Sequence, residues 1–161
     1  MKSRLTIVAV IWITCVIRGF AQDTNPPSPS SIGTQLQSYW ASNQLSQIEV
    51  YVITLCTNYP NYVPAVLAKA CYEGVYHSNV SNELALLDRV KNGSVGNDHF
   101  RALVSAERTQ TALILDAYYR EGTSHAALTN ASTAQGVRNQ VPVWPYLELI
   151  TNAPNANLPS P

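Results

Sequence analysis

The stretch LSQIEVYVITLCTNYPNYVPAVLAKACYEGVYH, residues 45–77, reads as two apolar helices joined by an elbow, Asn58-Tyr59-Pro60-Asn61-Tyr62-Val63-Pro64. Ser46-Gln47-Ile48-Glu49 has the Ser-x-x-Glu spacing of a capping box, with Leu45 and Val50 placed as a hydrophobic staple, and predicts a helix start. Ile48, Val52, Leu55 and Cys56 share one face of that helix. Val50, Tyr51 and Ile53 carry the apolar surface round most of its circumference, so burial on more than one side is expected. The β-branched residues between 50 and 55 also suit a strand, which is the alternative for that segment. Pro64 fits the first turn of the second helix, where its missing N–H costs nothing. That helix is predicted over residues 65–77, with Val66, Ala70, Glu73 and His77 on one line and small Ala65, Ala68 and Ala70 permitting close approach.

Working outward, Ile32, Leu36 and Tyr39-Trp40 recur at helical spacing and predict a helix over residues 32–41, capped by Ser30 or Ser31. On the other side, Ser81 is placed to cap a helix over residues 82–91. Leu84, Leu87 and Val90 point inward there, and Glu83, Asp88, Arg89 and Lys91 face water. The Gly/Asn/Ser-rich run 92–98 is a loop whose Asp98 caps a helix over 99–121, with Phe100, Leu103, Val104, Thr111, Ile114 and Tyr118 as its stripe. Gly122 ends it. An Ala/Thr/Asn-rich helix to residue 139, carrying His125, Leu128 and Val137, and a closing helix over 146–150 complete the pattern. No run has a clean period of two. The expected fold is all-α, about six to seven helices with consecutive helices antiparallel, in a domain spanning 31–151. A Pro-rich flexible lead-in, 22–30, and a disordered Pro/Asn-rich tail, 152–161, flank it.

Lys2 and Arg4 precede an apolar run over 5–17, and Gly19-Phe20-Ala21 offers small residues for cleavage after Ala21. Residues 1–21 therefore read as a signal peptide, and the chain as exported, periplasmic or secreted; an uncleaved N-terminal anchor is the alternative. Trp12-Ile13-Thr14 before Cys15 is a poor lipobox. Removing Lys2, Arg4 and Arg18 leaves seven basic and ten acidic residues, a balance of −3 with no basic run. That composition argues against a nucleic-acid surface or a polybasic membrane patch. Export permits a disulfide between Cys56 and Cys71. Their positions about the elbow imply an axial offset of about 7 Å, too long for a bridge, so two packed thiols are favoured.

No Gly-rich phosphate loop, Gly-x-Ser-x-Gly or His-Glu-x-x-His motif occurs, and the acidic residues are scattered singly. Glu73 and His77 stand at i,i+4. They are half of a metal site or an acid–base pair on one reading and a helix-surface contact on the other; a metal needs three or four ligands, which favours the surface contact. No cofactor or metal is expected. Of nine Tyr and three Trp, Tyr39, Trp40, Tyr51, Tyr59, Tyr62, Tyr72 and Tyr76 gather around the elbow half, as inter-helix packing or, for some, as the lining of a peptide groove. Asn79-Val80-Ser81, Asn92-Gly93-Ser94 and Asn130-Ala131-Ser132 match the N-glycosylation triplet, which matters only in a eukaryotic secretory route.

Paired helices punctuated by a proline resemble the tetratricopeptide repeat, a 34-residue helix–turn–helix with large and small residues at set places and a Pro near its end. With Pro60 on that terminal proline, Tyr39 falls on the bulky residue late in the first helix. Val52 and Leu55 fall on later apolar places, and Ala70 on the small residue of the next first helix. Ile48 stands where Ala is usual, the Trp-x-x-Leu-Gly start is missing, and Ala85 fits only if the turn at Ser78 to Ser81 carries about three extra residues. The resemblance covers residues 32–91 in degenerate form. It implies hairpins stacked as a short right-handed superhelix and a non-enzymatic scaffold or adaptor that binds a protein or peptide. The expected contacts are Tyr39, Lys69, Glu73 and Tyr76. A closed small helical bundle with a structural or inhibitor-like role is the rival expectation, and a metal or small-ligand enzyme through Glu73 and His77 the weaker one.

Overall fold

The computed structural model of the chain describes residues 25–120 and 144–160. The described residues hold six helices: α1 Pro29–Ala41, α2 Leu45–Asn58, α3 Val63–Val75, α4 Val80–Asn92, α5 Asp98–Arg120 and α6 Leu147–Thr151. Among the described residues there is no strand, only an isolated antiparallel bridge between Tyr62 and Asn157. The fold is all-α, and residues 50–55 lie inside α2 rather than in a strand. The signal segment 1–21 and the predicted helix carrying His125, Leu128 and Val137 lie outside the described residues.

Helix α3 is the centre. Eleven of its thirteen residues are buried, and it packs on α2, α4 and α6. Its small residues Ala65, Ala68, Ala70 and Gly74 let neighbours approach from several sides, and its charged Lys69 and Glu73 lie on the remaining side. Helix α1 packs on α2, and α4 on α5. The short α6 touches α1, α3 and α5, with Trp144, Tyr146 and Ile150 driven into the core.

Several helix starts differ from the sequence expectation. Ser28 caps α1, accepting from the Ser31 N–H at 3.2 Å with Pro29 in the first turn, so that helix begins three residues earlier than expected. Asn79, not Ser81, caps α4 by accepting from the Asn82 N–H. Asn97, not Asp98, caps α5 by accepting from the Phe100 N–H at 2.9 Å; the Asp98 carboxylate lies 3.1 Å from Arg101 instead.

The capping box at Ser46 does not form. Helix α1 ends in a Schellman closure: the Gln44 N–H donates to the Tyr39 carbonyl at 2.8 Å and the Asn43 N–H to that of Trp40, with Asn43 at φ 54°. This tight turn launches α2 at Leu45, which puts Ser46 inside the first turn, and no side chain caps the helix. Nor is α2 buried on more than one side. Ile48, Val52 and Leu55 are buried, while Leu45, Val50 and Ile53 are 45%, 59% and 54% exposed. Helix α2 is an edge helix whose packing partners are α1 and α3.

The expectation for residues 152–161 is also overturned. The proline elbow leaves backbone groups of Asn61 and Val63 without helical partners. Such groups require hydrogen bonds when buried. The tail supplies them: the Val63 N–H donates to the Ala156 carbonyl at 3.0 Å, and the Leu158 N–H to that of Asn61 at 2.7 Å. Ala153 and Leu158 are buried as a result. The lead-in is held as well, because Tyr62 Oη donates to the Pro27 carbonyl at 2.8 Å and Tyr59 Oη to that of Asn25 at 3.3 Å.

Leu158→Ala is expected to lower unfolding free energy by about 2–3 kcal/mol, the usual cost of truncating a buried leucine. Leu113→Ala, at an exposed site on α5, should change it by less than about 0.5 kcal/mol. Equal urea midpoints for the two variants would show that the tail does not pack on the elbow.

Candidate functional site

Helices α2 and α3 run antiparallel across the elbow. Cys56 Sγ donates to the Ala65 carbonyl at 3.3 Å near the elbow, and the Glu49 carboxylate acts electrostatically on the Tyr72 hydroxyl further along. Side chains at i, i+3, i+4, i+7 and i+8 share a helix face. On α2 these are Glu49, Val52, Ile53, Cys56 and Thr57, and on α3 Lys69, Tyr72, Glu73 and His77 face them. Together they line a cavity of about 350 Å3 along the seam. Val52, Cys56 and Tyr72 form an apolar floor, Ile53 an exposed apolar wall, and the charged groups a rim.

The rim carries both signs of charge, Glu49 and Glu73 against Lys69. Burial, then Glu49, then Glu73, push the Tyr72 hydroxyl up to about 12. Burial pushes the Cys56 thiol up to about 11, while the Lys69 ammonium pulls it the other way. A thiol held that high is a poor nucleophile near neutral pH. Cys56 and Cys71 are not joined in a disulfide, as the axial offset indicates. Glu73 Oε2 lies 3.5 Å from His77 Nδ1, on a partly exposed helix surface. Among the described residues no group of three or more His, Cys, Asp or Glu side chains is gathered to hold a metal ion.

Of the four expected contact residues, the groove brings together Lys69 and Glu73 and leaves out Tyr39 and Tyr76. Tyr39 packs edge-on against Tyr51, ring centres 6.1 Å apart, and burial followed by the Tyr39 hydroxyl raises Tyr51 to about 12. Tyr76 stacks on Tyr72 at 5.0 Å and on Trp144 at 5.9 Å, with Trp40 edge-on. Its hydroxyl is raised mainly by burial and makes no hydrogen bond among the described residues. Both tyrosines are packing residues behind the groove. Tyr72 is one of the aromatics offered by the sequence as packing or groove lining, whereas Glu49, Ile53 and Cys56 are not singled out there as groove residues. The signal is their i, i+4 and i+7 spacing mirrored across the elbow, and the Ser-x-x-Glu pattern points Glu49 to a cap instead.

A second unexpected constellation is internal. Glu83, expected in water, is fully buried and accepts a 2.6 Å hydrogen bond from Tyr146 Oη. Helix α4 turns Glu83, Leu87 and Val90 inward, four and then three residues apart. The carboxylate lies against α3 at Gly74, where a Cβ would collide with it. Burial, then Glu83, hold the Tyr146 hydroxyl well above its ordinary value. This contact ties α6 to α4 across α3. Between α4 and α5 a smaller cavity of about 200 Å3 has Val90, Phe100 and Val104 as walls and Lys91 and Arg101 at its rim.

No family model matches the chain, and neither a curated protein nor a solved structure matches it.

Gly74→Ala is expected to cost about 1–3 kcal/mol, because the new methyl must displace the Glu83 carboxylate in a packed interior. Thermal midpoints of Gly74→Ala and wild type would check this, and an unchanged midpoint would refute the contact. Iodoacetamide labelling of Cys56 should be slow at pH 8 and rise about tenfold per pH unit toward 10, because thiolate is the reactive species. With the folded thiol at about 11, above its ordinary 9, its contribution to stability is complete below pH 9 and is lost as pH rises through 11. Peptide-mapped labelling rates that are flat above pH 8.5 would contradict the raised value.

Proposed function

We propose that the chain is an exported, non-enzymatic, tetratricopeptide-like scaffold or adaptor that holds a protein or peptide partner along the α2–α3 groove. The observation that carries this reading is the combination in one groove of an apolar floor, an exposed apolar wall at Ile53 and a charged rim that includes Lys69 and Glu73. Interfaces use such a mixture, an apolar centre to exclude water and polar groups around it to fix register. The export assignment rests on Lys2, Arg4, the apolar run and Ala21. An acid–base or metal role for Glu73 and His77 has only their i,i+4 contact behind it.

A closed helical bundle with a structural role is the second reading, and one observation favours it: α6 packs on α1, α3 and α5 instead of extending the stack. The two readings diverge on whether the groove binds. Purified protein carrying Ile53→Asp with Lys69→Ala should retain at least about tenfold less partner from the exported fraction than wild type, as expected for loss of an interface centre. Leu113→Ser should retain as much as wild type. Equal recovery by all three would remove the groove as the binding face and favour the closed bundle.

A further inference from the structure

Residues 153–158 hold to the elbow in the manner of a ligand. Of the six, Ala153 and Leu158 are buried, Pro154 and Ala156 half-buried, and Asn155 and Asn157 exposed. The segment belongs to no helix. It runs antiparallel to the elbow, with Tyr62 paired to Asn157. The Val63 N–H donates to the Ala156 carbonyl at 3.0 Å, and the Leu158 N–H to the Asn61 carbonyl at 2.7 Å. Two side chains add selectivity. Leu158 reaches the end of α4 at Gly93, where a Cβ would stand 2.7 Å from its Cδ2. Asn155 Oδ1 accepts from Tyr62 Oη at 3.0 Å. The elbow is held independently of this segment: Pro60 and Pro64 limit its dihedrals, and Arg89 donates to the Pro60 carbonyl and the Asn61 side chain.

We propose that the elbow is a peptide-binding slot, filled in cis by residues 153–158, and that an extended segment of another protein with Asn and Leu three residues apart binds there in their place. The slot shares no residue with the α2–α3 groove, and the proposal does not depend on that groove. A backbone edge that pairs with an extended chain gains affinity from main-chain hydrogen bonds and selectivity from side-chain pockets. Here the Asn61 carbonyl and the Val63 N–H are the main-chain pair. Tyr62 Oη reads the Asn amide, and the gap over Gly93 takes the Leu. A segment with few buried apolar side chains opens at a smaller free energy than a packed helix. Residues 153–158 have two buried side chains, whereas α3 has eleven buried residues. The slot therefore empties while the helices stay folded. Residues 153–158 compete with any incoming peptide, whose apparent affinity falls with the fraction of molecules that have an open slot. The segment is thus a gate on the site it fills.

The test uses a fluorescein-labelled peptide of residues 152–160 and the whole chain, read by anisotropy. In the chain variant Leu158→Asp the resident segment is unseated. That variant should bind the peptide saturably and at least about tenfold more tightly than wild type. The same peptide carrying Leu158→Asp should bind at least about tenfold more weakly than the unaltered peptide. Adding Gly93→Ala to the Leu158→Asp chain should also weaken binding by about tenfold, because the new methyl takes the space of the leucine. Equal binding by wild type and Leu158→Asp, equal binding of the two peptides, or no binding by a Leu158→Asp chain with the circular dichroism of wild type would each overturn the slot. Amide hydrogen exchange of wild type gives a check that needs no variant to fold. The Val63 and Leu158 N–H groups should exchange through a local opening, at least about tenfold faster than amides in the middle of α3. Exchange of those two groups only through global unfolding would overturn the displacement.

Discussion

The backbone of the proline elbow is the constraint on which the rest of the molecule depends. Pro60 and Pro64 stop α2 and start α3 within a few residues, and the carbonyls of Pro60 and Asn61 and the N–H of Val63 are left without a helical partner. Two separate segments provide partners for these groups, and a third is tied to the Tyr62 side chain. The tail pairs with Asn61 and Val63, the Arg89 guanidinium reaches the Pro60 carbonyl and the Asn61 side chain, and the Tyr62 hydroxyl reaches back to Pro27. The two outer ends of the described chain are thereby joined at the turn between α2 and α3. A proline pair that looks locally like punctuation acts as the knot of the tertiary structure.

Holding the elbow fixes α3, and α3 fixes the layers. Its small residues allow close approach on several sides, so burial there is dense. The same closeness makes Gly74 the place where the Glu83 carboxylate can lie against a helix backbone. That carboxylate in turn meets Tyr146 and draws α6 over α3. A buried carboxylate is tolerated because a hydroxyl is aimed at it. The aromatic layer of Trp40, Tyr72, Tyr76 and Trp144 fills the space that this closure creates, in edge-on and offset contacts.

The candidate binding face is a consequence of what this arrangement leaves over. Helix α2 packs on α1 and α3 and has a further apolar side turned outward. Its exposed Ile53 and Val50 lie next to a groove whose polar rim carries Glu49, Lys69 and Glu73. Core and surface thus share the same two helices, α2 and α3. The proposed scaffold role rests on that shared boundary.

Much of the fold is legible in the sequence because it is local. The 3.6-residue period of Ile48, Val52 and Leu55, the position of Pro64, the loop at Asn92-Gly93 and the absence of a two-residue period settle an all-α chain with its helices near their observed places. Helix caps were less legible. Ser46, Ser81 and Asp98 are each good capping residues beside a rival, and the choice among rivals depends on how the preceding turn delivers the chain. The candidate site was half legible: Lys69 and Glu73 were expected and Tyr72 stood among the aromatics offered for packing or a groove, while Glu49, Ile53 and Cys56 entered only when α2 and α3 were laid side by side. Among the described residues, local periodicity determined by itself which segments are helices, to within a few residues at their starts. Tertiary structure alone decided that Glu83 is buried, that the tail closes the elbow and that one apolar side of α2 is left in water, because each of these depends on which surfaces meet across long stretches of sequence, and a periodic pattern carries no information about its partner.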